Sequence, residues 1–148
     1  MEYCRCGSLG SFIRNGNRLD ENKLRDVLAC ALLGLVYLHN RNIIHRVVVR
    51  ECVMKQDIKP DNLFLSEQGM VKVGDFGLAT QLDHSSSKRS LICGTMHYIA
   101  PEAFSNKTCL KSDVWALGMS AIEMAEGRHP YADCENSASV VEEAGSDD

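Results

Sequence analysis

The sequence predicts an α+β fold, mostly helical with a single small β-hairpin. Two long stretches of helical periodicity and one strand–turn–strand pattern carry that expectation. The 148 residues are 45% hydrophobic and 24% charged, which suits one modest globular domain around a single core. A formal net charge of −4 argues against a broadly basic surface, so no nucleic-acid partner is expected. The longest apolar run, Val27 to Leu38, has twelve residues. A membrane helix needs about 20, so no membrane span is expected either.

The first helix begins near Asp20. The Asp20 carboxylate can accept an early helix N–H, and Leu19 can staple onto Leu24 across the first turn. Leu24, Val27, Leu28, Ala31, Leu32, Leu35, Val36 and Leu38 recur at helical spacing and predict one wide apolar face. Asn40 and Asn42 suit a left-handed helix end. Extended sequence follows. Leu63 to Leu65 read as a strand, Glu67-Gln68-Gly69 as a turn, and Met70 to Val73 as the hairpin partner. A second helix is expected from Ser112 through Glu126, with Val114, Trp115, Leu117, Gly118, Ala121, Ile122 and Ala125 along one side. Gly127 ends it, and Pro130 lies just beyond. From Glu135 to Asp148 there are five acids and no base, and residues 134–148 read as an acidic disordered tail.

Seven cysteines stand at 4, 6, 30, 52, 93, 109 and 134. The odd number and irregular spacing, with no charged-then-apolar leader, argue against a disulfide framework. The expected compartment is therefore reducing, cytoplasm or nucleus. Cys4 and Cys6 are too close for the usual zinc pair, and most of the cysteines read as small buried hydrophobes. The five histidines share no i, i+4 ligand spacing.

The chemistry concentrates in one ordered series. Asp57-Ile58-Lys59-Pro60-Asp61-Asn62 is followed by Asp75-Phe76-Gly77, then by Gly94-Thr95, Tyr98, Ala100-Pro101-Glu102 and Asp113-Val114-Trp115. Singly these are weak signals. In this order and spacing they resemble the catalytic and activation segments of eukaryotic protein kinases of the serine/threonine type. The resemblance runs from Met1 to about Asp133. It implies that residues 1–133 are a partial kinase domain, mostly the helical C-terminal lobe, with no N-terminal lobe. Ser112 to Pro130 resembles the MAP-kinase-cascade activators, and Gly74 to Thr80 resembles the polo kinases.

The resemblance implies ATP and Mg²⁺ as cofactors, with a protein substrate or partner kinase. Phosphoryl transfer asks a protein for in-line positioning and charge neutralisation more than for covalent chemistry. Asp57 takes the place of the carboxylate that receives or orients the substrate hydroxyl. Lys59 would reach the transferred phosphate. Asn62 and Asp75 offer Mg²⁺ the hard oxygen ligands it prefers. Glu2 and Cys4 fall in the hinge that reads the adenine edge, with Gly7-Ser8-Leu9-Gly10 opening the helix after it. Ser90 is a candidate activation-loop phosphosite whose phosphate would pair with Arg46. Thr95 would contact the catalytic aspartate and favour serine or threonine acceptors. Asp113 matches the buried acid that holds the catalytic loop.

Three departures bear on activity. The sequence has no glycine-rich loop, strand lysine or helix glutamate of the small lobe, and those parts position the nucleotide. The family's later helices are also missing, with the arginine that pairs with the acid of Ala-Pro-Glu, so Glu102 is expected to lack that partner. Finally, Val47 to Gln56 separate His45-Arg46 from Asp57, which the family joins directly. The insert has no Gly, Pro, Asn, Asp or Ser to turn the chain, and its composition favours a strand. Two function classes follow: a serine/threonine kinase inactive as this chain stands, or a catalytically dead module that binds a partner kinase or scaffold.

The ends of the insert suggest a retained intron. Every valine codon begins GT and one glutamine codon ends AG, so the ten codons can carry both splice dinucleotides in frame. A genuine insertion is the alternative, since closing a ten-residue loop costs only about 2 kcal/mol. Sequencing of mature messenger RNA is expected to find transcripts that join Arg46 to Asp57. Transcripts that uniformly keep the ten codons, with matching peptides in the native protein, would reject the intron.

Overall fold

The two long helices of the computed structural model pack against each other, and a short antiparallel hairpin lies between the longer of them and the chain's first helix. It describes residues 4–41, 43–44, 46–48, 54–56, 58–75, 80–81, 96–104 and 109–134. Helix α1 spans Leu9–Arg14 and α2 spans Glu21–His39. Strands β1 (Ile43–Ile44), β2 (Arg46–Val48) and β3 (Met54–Gln56) follow. A 3₁₀ turn at Pro60–Asn62 leads into β4 (Leu63–Leu65) and β5 (Val71–Val73). Then come β6 (Thr80–Gln81), a 3₁₀ turn at Met96–Tyr98, α3 (Pro101–Phe104) and α4 (Leu110–Glu126). The mostly helical α+β class is borne out, with three two-stranded pairs among the described residues.

Local chemistry explains the ends of the elements. Ser8 caps α1 by accepting the Ser11 N–H at 3.2 Å. Asp20 caps α2 by accepting the Lys23 N–H at 3.0 Å. Asn40 is right-handed (φ −62°), so the expected left-handed end is corrected: Asn40 and Arg41 donate back to Val36 and Leu38 and need no reversal there. Asn42 lies outside the described residues. At α4 the Cys109 N–H donates to Ser112 Oγ at 3.2 Å, so the helix starts two residues before Ser112. Gly127 closes α4 with φ +77°, a conformation that favours glycine. The β4–β5 hairpin runs through Gly69 (φ +77°) and begins its return at Val71 rather than Met70.

The core stripe of α2 is narrower than the sequence pattern suggests. Val27, Ala31, Leu35 and Leu38 are buried, whereas Leu32 and Val36 are exposed beside Leu33 and Tyr37. The apolar side expected for α4 is also corrected. Val114 and Ile122 face water, and the buried residues are Ser112, Asp113, Ala116, Leu117, Met119, Ser120 and Met124. Three of these are polar, and each has a bond that makes burial affordable. Ser120 Oγ donates to the Ala116 carbonyl at 2.8 Å. Ser112 Oγ donates to Glu102 at 2.5 Å, so this acid has a hydroxyl for a partner. Asp113, with no exposed surface, meets His39 Nε2 at 2.9 Å. None of the five described cysteines is fully buried, which corrects their reading as core hydrophobes; all five are free thiols.

The inserted segment returns on itself. β2 and β3 pair antiparallel with Arg46 opposite Gln56, Val47 opposite Lys55 and Val48 opposite Met54. The strand preference of the composition is thus realised twice within ten residues. β1 pairs with β6, Ile43 opposite Gln81 and Ile44 opposite Thr80, tying the chain before His45 to the segment after Asp75.

The His39–Asp113 contact fixes α2 against α4, and its loss leaves a carboxylate buried without that bond. His39→Ala is expected to lower unfolding free energy by about 3 kcal/mol in urea titration. His39→Gln, which keeps a donor, is expected to lose less than half of that.

Candidate functional site

The candidate residues gather around the 3₁₀ turn and the β4–β5 hairpin. Ile58 and Pro60 are buried and alternate with half-buried Lys59 and Asp61, so packing of the apolar pair sets the turn. The Asn62 N–H donates to the Lys59 carbonyl at 2.9 Å and closes it. Asn62 is itself buried. Its carbonyl accepts the Gly74 N–H at 2.9 Å, one step beyond the Leu63–Val73 pair. Asn62 and Asp75 therefore stand at the same end of the hairpin, one before its first strand and the other just after its second.

Asp75 is exposed and has φ +55°, the one non-glycine positive φ among the described residues. Aspartate tolerates this region better than most side chains, but it is still a costly conformation held by its surroundings. At the neighbouring Gly74 a Cβ would fall 2.7 Å from the Phe64 ring, so the chain passes that ring only as glycine. Gly10 serves the other side of the turn. A Cβ on Gly10 would lie 2.8 Å from the Asp61 backbone nitrogen, so α1 reaches the turn only through a glycine. Arg14, one helical turn later, closes on Asp61 with Nη1–Oδ1 of 2.6 Å.

The amide of Asn62 and the carboxylate of Asp75 are oxygen donors of the kind Mg²⁺ takes, and a site of two side chains leaves room for phosphate and water. Both donor types suit that ion. Among the described residues no three or more His, Cys, Asp or Glu converge as a metal cage. Asp57, Glu2, Ser90 and Thr95 lie outside the described residues. Arg46 is described as backbone in β2, and Cys4 is half-buried with its carbonyl accepting the Gly7 N–H at 3.1 Å. The structure thus brings Lys59, Asn62 and Asp75 into one turn-and-hairpin unit.

A second polar cluster escaped the sequence reading. Tyr98 donates a short bond to Glu123. Burial, with the Glu123 partner, pushes the phenol well above its ordinary range. Burial also raises the Glu123 carboxyl despite that bond. His129 packs edge-on against Tyr98, ring centroids 4.6 Å apart, and lies 5.0 Å from the His97 ring. Its Nδ1 accepts the Tyr131 N–H at 3.1 Å. Burial first, and the neighbouring His97 second, push His129 down to about 4. The signal was hidden because His97 and His129 meet through the fold rather than along one helix.

Comparison with known proteins gives a family and a relative. The protein kinase domain family model matches residues 1–146. The chain is also similar to serine/threonine-protein kinase 1 of Arabidopsis thaliana, 46% identical over 132 residues. That alignment covers 88% of this chain and 15% of the relative, so the chain spans a small part of the length of the protein it matches.

His129 stays neutral in the folded protein well below the 6.5 at which it takes a proton when unfolded. Between those values the unfolded state binds the extra proton, so stability from this group falls as pH drops from 6.5 to about 4. His129→Phe is expected to flatten the loss of melting temperature over that window. An unchanged slope in the variant would show that His129 does not carry it.

Proposed function

The chain belongs to the protein kinase domain family, and on that premise we propose that it carries the phosphoryl-transfer half of a serine/threonine kinase site. In that reading Asp57 orients the acceptor hydroxyl and takes its proton as the oxygen attacks the γ-phosphorus of ATP. Lys59 meets the transferred phosphate. Asn62 and Asp75 hold Mg²⁺, which when bound neutralises the phosphate oxygens. Glu2 and Cys4 belong to the adenine-reading hinge. Lys59 and Thr95 favour serine or threonine acceptors, and Ser90, paired with Arg46, would order the activation segment.

One observation carries the reading. The two oxygen donors named from the sequence, Asn62 and Asp75, share one end of a hairpin, and the second adopts a rare backbone conformation that the fold maintains. Strain of this kind collects at functional positions.

A second reading, a catalytically dead module that binds a partner kinase or scaffold, draws on a different feature. Leu32, Leu33, Val36 and Tyr37 expose an apolar stripe along α2, with Leu33 68% accessible.

The two readings separate in one experiment. Residues 1–148 alone, incubated with labelled ATP, Mg²⁺ and a generic protein substrate, are expected to transfer no phosphate above an Asp75→Ala control. They lack the lysine–glutamate pair and glycine-rich loop that complete the phosphate clamp. Fusing the small lobe of the Arabidopsis relative ahead of Met1, with Arg46 joined to Asp57, is expected to restore transfer. Asp57→Asn in that fusion is expected to reduce it by about a hundredfold or more. A folded fusion that binds ATP yet transfers nothing would favour the binding module.

A further inference from the structure

A cavity of about 430 Å³ opens between α1, the first half of α2 and the β4–β5 hairpin, away from Lys59, Asn62 and Asp75. Its walls are apolar: Leu9 and Phe12 from α1, Leu19 and Val27 beside and on α2, Leu65 and Val71 from the hairpin. Lys23, Asp26, Val27 and Cys30 follow one another along α2 at i, i+3, i+4 and i+7, so one stripe of the helix forms the floor. Cys6 lies on the rim leading into α1. Two free thiols thus border one apolar cavity, Cys6 exposed and Cys30 half-buried. The size is that of a small-molecule site.

The charged residues of the lining say what kind of molecule fits. Lys23 and Asp26 are of opposite sign, and Lys23 is already paired with Asp20 at 2.7 Å. Nothing there asks for a charged ligand. Apolar walls select a hydrocarbon chain, and the cysteines select a soft electrophile.

We propose that this cavity is a modification site for neutral, hydrophobic α,β-unsaturated aldehydes, with Cys30 as the residue modified. The chain of the aldehyde lies against Phe12, Leu19 and Leu65 and presents its β-carbon to Cys30. Cys30 Sγ, as thiolate, forms a bond to that carbon. The electron pair of the C=C bond moves through the α-carbon to the carbonyl oxygen, and the α-carbon takes a proton from solvent. The thiol's proton has gone to solvent, so the adduct equals thiol plus aldehyde with nothing lost. This site goes beyond the phosphoryl-transfer reading and shares none of its residues.

The test compares trans-2-nonenal with crotonaldehyde, the same reactive group without the long tail, and maps adducts by mass spectrometry on the 148-residue chain. Cys109, exposed and outside the cavity, is the internal reference. The tail is expected to raise labelling of Cys30 relative to Cys109 on the order of tenfold, because only the cavity buries it. Phe12→Ser, at an exposed wall position, is expected to remove most of that preference while leaving crotonaldehyde labelling unchanged. Equal nonenal-to-crotonaldehyde ratios at Cys30 and Cys109 would overturn the proposal. So would a preference that survives Phe12→Ser in a protein shown by its melting curve to be folded.

Discussion

Asp113 is a carboxylate with none of its surface in water, and the arrangement of the two long helices answers to it. Such a group is tolerated only where polar partners surround it. His39, at the last position of α2, supplies one of them, which requires that end of α2 to lie over the first turn of α4. Once that crossing is set, Ala31, Leu35, Ala116 and Leu117 fall into the shared core. Ser112 and Ser120, small and internally bonded, take buried positions on the same helix as the acid. The polar centre of α4 and the apolar centre of α2 are thus one construction.

The turn and hairpin rest on that base. Leu63 and Val71 are buried in the common core, while Asn62 and Asp75 occupy the hairpin's open end. Glycines at 10, 34 and 74 let the neighbouring backbone and side chains come close around this unit. Close packing of this kind accords with the proposed phosphoryl-transfer role, in which placement of charge is most of the catalysis. Asp75 itself is exposed, on a backbone at positive φ.

Much of this was legible in the chain. Asp20, Gly127 and the strand–turn–strand pattern announce their elements because capping and turn chemistry are local. Lys59, Asn62 and Asp75 were found through an ordered series of short motifs, and the fold gathers them into one unit. The buried side of α4 was not legible. Val114 and Ile122 look like core residues and Ser112, Asp113 and Ser120 do not, because periodicity registers hydrophobicity and cannot see hydrogen bonds, within α4 for Ser120 and to other elements for Ser112 and Asp113. The same blindness hid Arg14 with Asp61, 47 residues away, and His97 with His129. The width of the α2 face was overstated for a related reason: the sequence shows which residues are apolar, not how many neighbours arrive to cover them.

The register of β2 and β3 has a topological consequence. Residues paired across an antiparallel ladder stand about 5 Å apart at their α-carbons, and covalently joined neighbours about 3.8 Å. Gln56, partner of Arg46, is already almost as near to it as a bonded residue would be, and Asp57 is the next residue in the chain. The inserted ten residues are therefore a detour that ends where it began. A segment whose last residue pairs with the one before its first can enter or leave a reading frame with little change in where the chain resumes, which makes this stretch permissive to a change in its own length.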